Sequence, residues 1–294
     1  MQPLLGPGQH AYANARLAEP GMAVPDAEAL RVIPNTDRVL WASEGDFSRG
    51  FGPELNEMRR EGTWLRDWPL PDMLRLPPRH DKAVRETPPQ GPRGGLTLEG
   101  MALSPDARTL WLSMEGPLLQ DGEMSSPGQT GAPVRITAFD VPTRKAVRQI
   151  AYLPDAVSAS VQWLRPRPIN GVSDILADGP DHLLVLERSF SVDEGWGARL
   201  YRIAVHHPGT DNAATDVLRM RRLIDGQYRT VPKQLVLDFA KLGLRSVDNL
   251  EGMTWGSPLA SGERVLLLVS DNNFNPAEVT QFIALAEQPR CHVE

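Results

Sequence analysis

The chain has 294 residues with a net charge of −6; 41% of them are apolar and 23% charged, enough for a buried core and too balanced for a disordered chain. An acidic chain with only four lysines is unsuited to sequence-independent nucleic-acid binding, which needs clustered cations. The longest apolar run, Val265 to Val269, falls far short of the roughly 20 residues that span a membrane, and a single cysteine, Cys291, excludes an internal disulfide framework or a multi-cysteine zinc site.

Residues 1–25 are rich in Gly, Pro and Ala and read as an irregular segment, without the basic and apolar stretches of a signal peptide. From there a fourfold recurrence organises the chain. Asp26-Ala-Glu28-Ala-Leu30 leads to Val39-Leu40-Trp41-Ala42-Ser43-Glu44-Gly45. Leu98-Glu99-Gly100-Met101 leads to Leu110-Trp111-Leu112-Ser113-Met114-Glu115-Gly116. Asn170-Gly171-Val172-Ser173-Asp174-Ile175 leads to Leu183-Leu184-Val185-Leu186-Glu187-Arg188. Leu250-Glu251-Gly252-Met253 leads to Val265-Leu266-Leu267-Leu268-Val269-Ser270-Asp271. The opening acids are taken as Glu28, Glu99, Asp174 and Glu251, spaced by 71, 75 and 77 residues.

Each unit predicts a hairpin, with turns at Ser104-Pro105-Asp106 and Asp178-Gly179-Pro180-Asp181. Two more β-rich runs follow in the first three: 55–60 and 64–70, 134–140 and 146–150, and 198–205 and 233–239. Four antiparallel strands per unit predict an all-β fold, a β-propeller of four-stranded blades with at least four blades. The expected organisation is an irregular segment over 1–25, a propeller domain over 26–286 and a tail over 287–294. Polar and Pro-rich stretches at 76–97, 117–132, 155–169 and 206–231 are expected as surface loops. A β-sandwich would not explain the recurring acid.

In an antiparallel pair the start of one strand lies beside the end of the next. The opening acids should therefore meet the closing acids Glu44, Glu115, Glu187 and Asp271 at one end of the central channel. Like charges ~4 Å apart repel by roughly 4 kcal/mol at an effective dielectric of 20, so protons, arginines or a cation must compensate. An all-oxygen set drawn from Glu28, Glu99, Asp174, Asn249 and Glu251 suits Ca2+ or Mg2+ and not zinc. One of Glu44, Glu115, Glu187 or Asp271 would then serve as general base. Arg49 and Arg188, beyond two closing acids, would receive a small anionic ester. The bland alternative is that these carboxylates only accept backbone N–H bonds and tie blades together. No nucleophile elbow, P-loop or zinc-helix motif is present. Trp41, Trp111 and Trp255 read as packing between blades, Trp163 and Trp196 as weaker candidates for a substrate wall, and His206-His207 as a solvated pair.

These segments, with Met114-Glu115-Gly116-Pro117-Leu118-Leu119-Gln120-Asp121-Gly122 and Asp248-Asn249-Leu250-Glu251-Gly252-Met253, resemble the bacterial phytase-like family, described as "esterase-like activity of phytase". The resemblance covers most of residues 26–286. It implies a β-propeller, usually exported to the periplasm or beyond, with phosphoester or ester hydrolase activity. Members usually carry a further propeller segment and an export signal before the part matching Asp26, so an N-terminally incomplete propeller is expected; a cytoplasmic location would follow from a genuine start at Met1. Ala29 stands where the second and fourth units have glycine. A sugar-lactonase-like propeller with a channel-mouth cation, and a non-catalytic binding propeller, remain open. Oligomeric state is undetermined at this level.

Overall fold

The structure, a computed structural model, describes residues 4–19, 21–77, 90–158, 168–205 and 214–287. Strands follow the predicted runs. Blade 1 comprises β1 (Ala27–Val32), β2 (Arg38–Ser43), β3 (Glu54–Arg59) and β4 (Trp64–Asp67). Blade 2 comprises β5 (Leu98–Leu103), β6 (Thr109–Met114), β7 (Val134–Asp140) and β8 (Lys145–Tyr152). Blade 3 comprises β9 (Ile169–Ala177), β10 (His182–Ser191), β11 (Gly195–Ala204) and β12 (Lys233–Asp238). Blade 4 has three strands among the described residues: β13 (Leu250–Trp255), β14 (Val265–Ser270) and β15 (Phe282–Ala286). Every pairing is antiparallel between sequence neighbours. The sheets stand as the four blades of a β-propeller.

Blades form because strand alternation gives each sheet two apolar faces, one for each neighbour. Leu40, Ala42 and Leu55 of blade 1 pack on Met101, Leu110 and Phe139 of blade 2. Trp111, Ile136 and Ile150 of blade 2 meet Ile175, Val185 and Ile203 of blade 3. Leu184, Leu186 and Leu200 of blade 3 meet Met253, Leu266 and Leu268 of blade 4. Trp41 turns to the far face of blade 1 and is covered by Leu4 and Tyr12, which gives the 1–25 segment a packing role. On blade 4 the face turned away from blade 3 leaves Leu267 and Phe282 exposed. Trp255 packs between blades and donates its indole N–H to the Ala177 carbonyl at 2.8 Å. A 3-10 turn spans Phe239–Lys241, and among the described residues no helix is long and apolar enough to cross a membrane. Trp163, His206, His207 and Cys291 lie outside the described residues.

Candidate metal centre at the channel mouth

β-Bulges at the start of the innermost strands build the site. Ala27 pairs with Ser43 and Ala29 with Ala42, so Glu28 is an extra residue pushed out of the ladder. Glu99 is bulged in the same way between Leu98 and Gly100, and Glu251 between Leu250 and Gly252. The residue after each partner strand then closes over the bulge. The Glu44 N–H donates to the Asp26 carbonyl at 2.8 Å, Glu115 to Thr97 at 2.6 Å and Asp271 to Asn249 at 3.0 Å. The recurring acid is thus a bulge residue, re-aimed toward the channel.

Blade 3 departs from the expected alignment by one position. Val172 pairs with Glu187 and Asp174 with Leu186, so the bulged residue is Ser173, and the closing residue is Arg188. A one-residue slip inverts which side chains share a face. Asp174 therefore lies deeper, buried, as a tie between blades: it accepts from the backbone N–H groups of Ile175 at 2.8 Å and Met253 at 2.7 Å, and from Arg31 at 3.2 Å. Its pKa is raised by burial, against the opposing pull of Arg31 and these donors. The inner strands are tight here: a Cβ on Gly100 would sit 2.7 Å from the Ile175 nitrogen, which accounts for the glycine. Glu187 points into the seam between blades 2 and 3. There it accepts from Tyr152 Oη at 2.6 Å, Asn170 Nδ2 at 2.8 Å and Lys233 Nζ at 2.5 Å.

At the mouth itself Glu44, Glu99, Glu115 and Arg188 are all buried. Each of Glu44, Glu99 and Glu115 offers an oxygen within 4.8 Å of the others, and Glu44 belongs also to such a group with the more exposed Asp26 and Glu28. Burial, with the neighbouring acids Asp26, Glu44 and Glu251, pushes Glu28 up to about 8. Glu44 is raised to about 7, chiefly by burial, although the Thr97 backbone N–H donates to it. Burial and then Glu115 and Glu28 hold Glu99 well above the usual carboxylate range. Burial also raises Glu115 and Glu251, opposed in both by Arg188. The guanidinium donates to Glu115 and Glu251 and, at 2.7 Å, to Asn249 Oδ1, with Glu99 at 4.0 Å. Burial disfavours its charge, but these acids hold it protonated. The centre of the Trp196 ring lies 5.3 Å from its guanidinium carbon, and the ring meets Phe190 in a tilted contact.

Of the predicted residues, the mouth therefore gathers Glu28, Glu44, Glu99, Glu115, Asn249, Glu251 and Arg188. Asp271 is exposed at the corresponding place on blade 4. Arg49 is taken by Asp46 at 2.5 Å and the Ala15 carbonyl at 3.3 Å, in its own loop. Trp196, read from the sequence as a weaker candidate for a substrate wall, lies beside Arg188, whereas Thr97, whose backbone N–H donates to Glu44, was missed. Thr97 could have been found as the residue two before a bulged acid.

The donor set fits a hard divalent cation: oxygen-only, acidic and, among the described residues, in excess of the positive charge beside it. The raised carboxylates are the complementary sign of that excess. A family model described as "Phytase-like: Esterase-like activity of phytase" matches residues 3–274. No curated protein matches the chain.

Proposed function

The chain belongs to the phytase-like family, and we propose that it hydrolyses phosphoric or carboxylic esters at the channel mouth with a divalent cation, Ca2+ or Mg2+, held by Glu44, Glu99 and Glu115. The observation that carries this reading is three buried carboxylates gathered within 4.8 Å, a cluster whose repulsion and desolvation a bound cation would relieve. When bound, the cation supplies Lewis-acid polarisation of a phosphoryl or carbonyl oxygen and acidifies a water. Glu28, at the rim beside Glu44, accepts the proton of the attacking water. Arg188 receives the anionic group of the substrate, with Trp196 beside it.

The reading of the acids as blade ties is favoured at Asp174, whose oxygens are used by backbone and Arg31. Asp174 is therefore kept out of the metal set. The test is hydrolysis of p-nitrophenyl phosphate, p-nitrophenyl acetate and a simple lactone, each with calcium and with EDTA. Calcium-dependent turnover of one of the first two is expected. Full activity in EDTA removes the metal role. Turnover of the lactone alone points to a lactonase. Bound calcium without any turnover points to a binding propeller.

A further inference from the structure

We infer that Arg188 is the resident cation of the channel mouth, exchanging Glu115 for a divalent cation and thereby turning one edge of its guanidinium to an anionic ligand. The inference rests on the metal-dependent reading above and assigns this residue a gating role within it.

Three observations carry it. First, Arg188 occupies the closing position of blade 3, where the other blades place Glu44, Glu115 and Asp271. One quarter of the pseudo-fourfold mouth thus presents a built-in positive charge in place of an acid. Second, the two cations share a ligand. Glu115 belongs to the group Glu44, Glu99 and Glu115, and the same carboxylate is the acceptor of Arg188 Nη2. A metal that draws on Glu115 weakens that ion pair, and the converse holds. Third, the guanidinium is incompletely satisfied. Nη1 is anchored by Asn249 at 2.7 Å and by Glu251, but Nε is buried without a hydrogen-bond partner in a side chain only 8% exposed. A buried N–H left unpaired is unfavourable, and native structures seldom keep one without use.

Nε and Nη2 share one edge of the guanidinium, the two-donor fork that matches a pair of oxygens on a phosphate or carboxylate. Once Nη2 leaves Glu115, that edge is free, while Nη1 stays fixed on Asn249 and Glu251. Trp196 lies 5.3 Å from the guanidinium carbon and limits how far the group can swing. Cation and anion therefore bind with positive coupling, each raising the affinity of the other by one common factor. Direct contact between metal and anion contributes to the same coupling, so variants of Arg188 are needed to isolate its share.

The experiment is titration calorimetry at pH 7 with CaCl2 and with phenylphosphonate, a non-hydrolysable anion, on wild type, Arg188→Gln and Arg188→Lys. Removal of the competitor in Arg188→Gln is expected to tighten calcium binding at least tenfold. Arg188→Lys keeps the charge but lacks the fork. It is expected to bind calcium within a few-fold of wild type and to lose at least tenfold of the calcium-induced gain in phenylphosphonate affinity. Circular dichroism establishes that each variant is folded, and the lysine variant alone decides the matter if the glutamine variant is not. Calcium affinity in Arg188→Gln equal to or weaker than wild type overturns the exchange, as does an unreduced gain in Arg188→Lys. No calcium binding by wild type or either variant overturns the metal-dependent reading as well, whereas calcium-dependent hydrolysis with an unaffected Arg188→Gln titration overturns the exchange alone.

Discussion

Two carboxylate clusters of this chain are built on opposite terms. In the seam between blades 2 and 3, Glu187 and Asp155 are served by Lys233, Tyr152, Tyr201 and Asn170, with Lys233 Nζ 2.7 Å from Asp155 and 2.5 Å from Glu187 and 4.1 Å from the Tyr201 ring centre. Donors match acceptors there, and burial lowers no one's bonding. The channel mouth gathers Glu28, Glu44, Glu99, Glu115 and Glu251 around one guanidinium among the described residues, that of Arg188. One cluster is complete as protein; the other carries more acidic groups than the described residues neutralise. Acidic residues at strand ends therefore do not report function by their number. The balance of donors around them does.

The largest expected effect breaks the complete cluster. Lys233→Met leaves Glu187, buried to 2% exposure, without its cation, and removing one member of a buried pair costs about 3–5 kcal/mol. Because Lys233 is itself partly exposed and Tyr152 and Asn170 remain as donors, the lower end of that range is expected. Urea denaturation with and without calcium checks it: the loss should be the same in both, since no metal is involved. A loss that calcium repairs would place a cation in this seam as well.

At the mouth the corresponding change acts in the opposite direction. Glu99→Gln removes one of the mutually repelling carboxylates without changing its shape, so the protein in EDTA should gain about 1 kcal/mol, while the calcium-induced rise in Tm should fall to near zero. Differential scanning calorimetry in both buffers measures the pair of effects. A destabilised variant in EDTA would mark Glu99 as a structural acceptor.

The same contrast governs pH dependence. Glu44 near 7 and Glu28 near 8 lie above the ordinary value of 4.5. Each binds its proton more tightly folded than unfolded, so its contribution is fully present below about pH 4.5 and is lost as pH rises through 7 to 8. Each unit of such a shift corresponds to about 1.4 kcal/mol. In EDTA, Tm is expected to fall between pH 5 and 9; with calcium, which takes the ionised forms, the slope should flatten. A Tm in EDTA that stays level across this window would show that the mouth is already neutralised.

Much of this was legible in the residues. Alternation and turn chemistry placed fourteen of the fifteen strands, because a blade buries both faces and its runs stand out as apolar residues between turns; the sequence reading did not include β15 (Phe282–Ala286). The convergence of Glu28, Glu44, Glu99, Glu115 and Glu251 followed from hairpin geometry alone. Blade 3 did not follow, because Ser173-Asp174 and Glu187-Arg188 offer an acid one position away from the bulge on each strand, and only register decides which residue is bulged. The tie at Asp174 and the seam partners of Glu187 are long-range contacts, spanning 79 residues to Met253 in one case and 46 to Lys233 in the other. Nothing in local pattern encodes them.

The smallest expected effect concerns Glu251, which the sequence placed among the candidate metal ligands. It is bulged like Glu99, yet its Oε1 receives both Arg188 and, at 2.9 Å, Asn249 Nδ2. Those donors make it resemble the complete cluster more than the deficient one. Glu251→Gln exchanges a charge-assisted bond for a neutral one, a loss of about 1 kcal/mol, and burial of the former charge offsets part of it, since burial raises this carboxyl. The net change in Tm should be a few degrees at most. The calcium-induced shift should match wild type, in contrast to its loss in Glu99→Gln. Parallel melts of the two variants in calcium and in EDTA decide the point. An abolished shift in Glu251→Gln would enlarge the metal set across the channel to blade 4, and would require Arg188 to give up Glu251 together with Glu115.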